Sequence, residues 1–153
     1  MAKIILNIAK AYDEGFIENL ERTKYFQLHK NATTRAELYC FALALCEMEK
    51  KEPTPINSVG PVKTFVRAEF LENCEPLLSS LYYDKELKNN PELIDEICNR
   101  ENVYCLAEKY ANTGFGILQN YIESMDEETL FYKLIGYMDK QYDSIKDELT
   151  ELI

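Results

Sequence analysis

The stretch Glu101–Ser124, ENVYCLAEKYANTGFGILQNYIES, carries a helical repeat through Asn112, Thr113 and Gly114 without losing register. With each residue set about 100° after the last, Leu106, Ile117, Tyr110, Val103, Tyr121, Gly114, Ala107, Leu118, Ala111 and Ile122 fall in one stripe about 160° wide. Asn-Thr-Gly taken alone marks a turn, but the unbroken stripe predicts one long helix. Glycine inside a helix costs about 1 kcal/mol relative to alanine, so Gly114 needs a reason. It sits near the centre of the stripe with Ala107 and Ala111, and these three small residues form a strip where a second helix can cross closely. Asn112 falls at the opposite pole, near Lys109 and Gly116, where core packing does not account for it. Two readings stand there: an ordinary solvated asparagine, or a partner contact made by Lys109 and Asn112.

Upstream, Leu38–Cys46 reads LYCFALALC, nine apolar residues in a row, which places a helix apolar on all sides at the middle of the domain. Thr34 precedes Glu37 by three residues, the spacing of a capping box at that helix's start. Charged Glu47–Lys51 and then Pro53 and Pro55 end the helix near Met48, and an extended loop is expected through Ile56–Pro61. A short helix of weak amphipathicity is expected from about Lys63 to Glu72. The next opens at Pro76 and buries Leu77, Leu78, Leu81 and Tyr82. Asn90 and Pro91 then begin one that buries Leu93, Ile94, Ile97 and Cys98.

Downstream, Asp126 is placed to cap a last helix. On it Leu130, Leu134, Ile145, Met138, Phe131, Leu149, Tyr142 and Ile135 lie within about 140° of arc. Lys133, Asp139, Lys140, Asp143, Asp147 and Glu151 occupy the other side, a solvated face or a partner surface. Only Lys3–Ile8 resembles a strand, and no Asn-Gly or Asp-Gly hairpin signal appears. The expected fold class is therefore all-α: one domain over residues 1–153, a bundle of about six helices around a central apolar helix.

The 153 residues are 46% apolar, enough for a core and too apolar for a disordered chain. No apolar run reaches the roughly 18 residues of a membrane span, and the patch in MAKIILNIAKAYDEG is too short for a secretory signal. A soluble, cytoplasmic protein is expected. Five cysteines with no Cys-x-x-Cys pair, and the single histidine His29, make poor zinc or disulfide arithmetic, so neither metal nor cofactor is assigned and the thiols read as structural. There is no Gly-rich phosphate loop and no nucleophile elbow. Carboxylate pairs such as Glu108 with Asp95, or Asp84 with Glu86, sit on expected solvent faces, where nothing would separate their pKa values for acid–base work.

The net charge of −10 is unevenly spread. Residues 1–50 carry seven acids and seven bases, whereas residues 123–153 carry nine acids and three bases. Within the neutral part, Arg22–Ala36 (RTKYFQLHKNATTRA) holds Arg22, Lys24, Lys30 and Arg35 and no acid. This is a candidate anion or nucleic-acid contact, which Lys63 and Arg67 join if the Pro-Gly loop folds back. The competing reading, preferred here, pairs these bases with the acidic last helix, within the chain or across a homodimer.

The block LAEKYANTGFGIL, with its Tyr-Ala-Asn-x-Gly core, resembles a segment of the small helical accessory proteins of bacterial DNA phosphorothioation (Dnd) gene clusters. AELYCFALALCEMEKKEPTPI, from Ala36 to Ile56, is similar to the apolar helix, charged turn and proline that those proteins carry upstream. The resemblance covers about residues 34–135 and falls on Tyr110, Ala111, Asn112 and Gly114. Thr113 stands where that family often has a second glycine, and Cys46 where a glycine commonly ends the helix. The resemblance implies association with a DNA-modification or restriction system, and it brings no catalytic residue.

Three functions follow in order. The first is a non-enzymatic accessory or regulatory protein of such a DNA-modification or phage-defence system, acting by protein contacts through the acidic last helix or the strip near Asn112. The second is a nucleic-acid-binding module or an acidic DNA mimic, and the third a small enzyme using scattered carboxylates.

Overall fold

The computed structural model describes residues 5–17, 32–67, 69, 72 and 74–152. Strand β1 (Ile5–Ala9) leads into a short helix α1 (Lys10–Tyr12), which widens into a π turn over Asp13–Ile17. Helix α2 (Ala32–Met48), a 3-10 turn (Ile56–Val59) and strand β2 (Val62–Arg67) follow. Next come helix α3 (Glu75–Tyr82), a π turn over Tyr83–Leu87 and a 3-10 helix (Pro91–Cys98). Two long helices, α4 (Arg100–Ser124) and α5 (Glu127–Glu151), complete the chain. The fold is all-α in character, with one small antiparallel ribbon of β1 and β2 laid against it.

Helix α2 is the centre. Leu38, Tyr39, Ala42, Leu43, Leu45 and Cys46 are all buried, as an all-apolar helix requires. The helix runs back beyond Thr34 to Ala32, so Thr34 is a helical residue and not the cap of a capping box. Its other end closes in a Schellman arrangement. The Lys51 amide donates to the Cys46 carbonyl at 3.2 Å and the Lys50 amide to that of Glu47 at 3.1 Å, with Lys50 at φ 51° in the left-handed region usually held by glycine.

Helix α4 is unbroken through Asn-Thr-Gly and packs along α2. Asn99 caps it by accepting from the Glu101 amide at 3.2 Å. A Cβ built on Gly114 would lie 1.7 Å from the Ala42 oxygen and 2.4 Å from its carbonyl carbon, so the backbones of α2 and α4 nearly touch there. Ala107 and Ala111 are buried on the same strip. Beside this crossing, the rings of Tyr39, Phe65 and Phe115 lie with centroids 5.7–5.9 Å apart, within the range of favourable aromatic contacts.

Three expectations are corrected. Val62–Arg67 is a strand, not the opening of a helix over Lys63–Glu72. Its β-branched and aromatic residues suit a pleated surface, and β1 gives it a partner 58 or so residues away. The pairing steps from Leu6↔Val66 to Asn7↔Thr64, leaving Phe65 as the extra residue of a bulge. Phe65 and Val66 are therefore both buried, and the alternation that signals a strand is lost.

Leu77, Leu93, Ile94 and Cys98 are exposed rather than buried. Pro91–Cys98 winds as a 3-10 helix, on which Leu93 and Ile94 are exposed and Ile97, half-buried, packs on the core. On α5, Leu130 and Leu134 are buried and Phe131 is half-buried, while Ile135, Met138, Tyr142, Ile145 and Leu149 of the apolar stripe are exposed.

Candidate functional site

Asn112 is corrected from an outward-facing residue to a buried one, 2% exposed. Its side chain does point to the pole of α4 opposite the packing stripe, but the Pro53–Pro55 loop lies across that pole. Asn112 Nδ2 donates to Thr54 Oγ1 at 3.0 Å and to the Pro55 carbonyl at 3.3 Å. Thr113 Oγ1 accepts from the Thr54 amide at 2.9 Å and lies 3.0 Å from Thr54 Oγ1. Asn112 and Thr113 thus fasten a proline-rich loop that lacks secondary structure of its own, and the Asn112 side chain is unavailable to a partner. Lys109 remains exposed, at the rim of a shallow hollow of about 300 Å³ shared with Tyr82, Glu86, Asn102, Cys105 and Leu106.

The candidate basic patch is divided. Arg22, Lys24 and Lys30 lie outside the described residues. Arg35 and Lys63 converge, but on an acid that the sequence reading did not single out. Asp13, in the π turn after α1, is fully buried, with Lys63 Nζ 2.6 Å from one carboxylate oxygen and an Arg35 guanidinium nitrogen 3.4 Å from the other. The Arg35 guanidinium also lies over the Phe65 ring, 4.7 Å from its centroid. The expectation that these two bases pair with the last helix is therefore corrected: Asp13 holds both. Arg67 is apart from them, 3.3 Å from Glu69 on the surface.

The proposed carboxylate pairs do not assemble a site. Glu108 is buried rather than solvated, and its Oε1 accepts the Asn7 amide at 2.9 Å. Asp84 makes surface ion pairs with Lys85 and Lys88. Other carboxylates hold helices together. Tyr104 donates to Glu75, joining α4 to α3, and burial together with that bond pushes its hydroxyl up to about 12. Tyr121 donates to Glu49 at 2.6 Å, and this bond, with burial, likewise raises its hydroxyl to about 12. Among the described residues, no cluster of His, Cys, Asp and Glu could hold a metal ion, and no helix is long and apolar enough to cross a membrane.

Among the described residues, α5 carries the longest row of exposed apolar side chains. Asp126 caps it, accepting the Thr129 amide at 2.9 Å and the Thr129 hydroxyl at 2.7 Å, and these bonds lower its pKa. Leu130, Leu134 and Tyr137 turn inward, and Lys133 Nζ lies over the Tyr121 ring of α4. Beyond Leu134, Ile135, Met138, Tyr142, Ile145, Leu149 and Leu152 are between 41% and 83% exposed. Asp139, Asp143, Asp147, Glu148 and Glu151 are exposed on the same helix. No protein-family model, curated protein or solved structure matches the chain.

Proposed function

We propose that this chain is a non-enzymatic accessory protein of a bacterial DNA-modification or phage-defence system of the phosphorothioation type, cytoplasmic, and working through protein contacts on α5. The observation that carries the contact element is the row of exposed apolar side chains on α5, together with an acidic stripe of Asp143, Asp147 and Glu151 on successive turns. A large exposed apolar surface bordered by charge is a feature of interaction sites. The cellular context comes from the Tyr110-Ala111-Asn112-x-Gly114 resemblance alone. The strip near Asn112 drops out of this reading, because the Asn112 side chain is buried beneath the Thr54 loop, to which its amide nitrogen donates.

A second reading, an acidic DNA mimic, draws support from the same stripe, whose carboxylates would compete for the basic groove of a DNA-binding partner. Direct nucleic-acid binding draws less support, since the buried Asp13 carboxylate engages both Arg35 and Lys63. Capture with a tagged copy tests the first reading. A DNA-processing protein identified by mass spectrometry should co-purify with the native chain and be lost with Asp143→Lys, Asp147→Lys and Glu151→Lys combined. Capture of no such protein, or capture indifferent to these changes, overturns it. Release of the captured protein by duplex DNA would select the mimic.

A further inference from the structure

The outward apolar row on α5 has a spacing that names its occupant. From Ile135 the intervals to Met138, Tyr142, Ile145, Leu149 and Leu152 are three, four, three, four and three. This is the strict seam of a two-stranded coiled coil, narrower than the stripe of a helix lying on a globular core. The inward residues Leu130, Leu134 and Tyr137 form a separate row on the core, whereas Ile135 to Leu152 of the seam are exposed. We propose that the seam pairs with α5 of a second copy of this chain, antiparallel. The proposal rests on the reading of α5 as the contact element and deepens it.

Charge decides the direction. In an antiparallel pair Tyr142 faces Ile145 of the second copy, Met138 faces Leu149 and Ile135 faces Leu152, so every seam residue meets an apolar one. The charged residues flanking the seam on one side are Asp139 and Lys146. Antiparallel helices bring these flanking positions together across the seam, giving Asp139 opposite Lys146 twice by the two-fold symmetry. Parallel helices would instead set Asp139 against Leu134 and Lys146 against Gln141, with no charge satisfied, and would align the acidic ends of both helices. Six side chains more than two-fifths exposed offer roughly 600 Å² per copy, close to the ~800 Å² per partner of a standard interface before the aliphatic stems beside the seam are included. Pairing leaves Asp143, Asp147 and Glu151 outside the seam, available to another protein.

Sedimentation of the purified full chain over about 1–100 μM tests this. The native chain should show a two-chain mass at the upper end, and Met138→Glu with Ile145→Glu should stay at one chain with its helical circular dichroism retained. Two surface variants guard against misfolding. Asp139→Lys and Lys146→Glu should each weaken pairing about tenfold, because two attractive pairs become repulsive, and mixing the two proteins should restore it. A native chain that stays single overturns the proposal, as does a dimer that survives Met138→Glu with Ile145→Glu. A dimer whose charge variants are not rescued by mixing overturns the antiparallel arrangement. A single chain that still captures a partner through its acidic stripe defeats self-pairing alone, and a dimer that captures nothing defeats the accessory reading alone.

Discussion

Gly114 of α4 stands against the carbonyl of Ala42 in α2, so close that even a methyl group at Gly114 would fall within 1.7 Å of the Ala42 oxygen. The two central helices cross backbone to backbone at this point. Helix propensity favours alanine over glycine by about 1 kcal/mol, yet the obstacle is main chain and cannot rotate away. Gly114→Ala should therefore destabilise by about 2–3 kcal/mol, and Gly114→Leu should abolish cooperative folding. Urea unfolding followed by circular dichroism reads both. A stable Gly114→Leu would remove the crossing.

Asp13 is the counter-charge for Arg35 and Lys63, and it is fully buried. Asp13→Ala leaves two cations around an apolar gap and should cost about 3 kcal/mol. Lys63→Met should cost less, because Arg35 still faces the carboxylate and Lys63 is partly exposed. Equal losses for the two variants in urea unfolding would contradict this ranking.

The Thr54 amide donates to Thr113 Oγ1, and Asn112 donates to the same loop. Thr113→Val removes the acceptor and should accelerate hydrogen exchange at the Thr54 amide while leaving exchange in the α2 core unchanged. Asn112→Ala should cost about 1–2 kcal/mol, the value of buried hydrogen bonds lost without replacement.

Lys50 ends α2 at φ 51°, a conformation that a β-carbon disfavours. Lys50→Gly should stabilise by about 0.5–1 kcal/mol, since the turn keeps its two closing hydrogen bonds and loses its strain. A lower midpoint in thermal unfolding would count against the turn as described.

Tyr104 and Tyr121 have hydroxyls raised from 10.0 to about 12. The unfolded chain gives up these protons near pH 10 and the folded chain near 12, so above pH 10 the unfolded state binds fewer protons and stability falls. Their contribution is complete below pH 10 and declines as pH rises toward 12. Urea midpoints between pH 9 and 12 should show that decline, less steep in Tyr104→Phe with Tyr121→Phe.

Features carried by local pattern were legible in the sequence. The α4 stripe, the cap at Asp126, the start of the 3-10 helix at Pro91 and the end of α2 at Met48 all follow from spacing and residue chemistry within a few turns. The rest depends on distant partners. Phe65 disrupts the alternation of β2 because its bulge is defined by pairing with β1. Asn112 looks solvated on a helical wheel because the wheel contains no Pro53–Pro55 loop. Asp13 is one acid in a neutral stretch, and only the return of β2 and the start of α2 bury it between two cations. The α5 stripe was visible as a whole, but its division into an inward row and an outward seam required the position of α4.

The bulge in the ribbon has one more effect. At Asn7 the amide is taken by Glu108 of α4 at 2.9 Å, and the carbonyl accepts the Tyr39 hydroxyl of α2 at 3.2 Å. Both main-chain groups at this point of β1 are thus sealed by side chains from the two central helices. A strand edge with its hydrogen bonds already spent offers no template to an incoming strand. A slip by one residue would strand the Glu108 carboxylate while turning Leu6 and Ile8 toward water. Two helices therefore hold the register of the ribbon at Asn7 and close β1 at that point to a further strand.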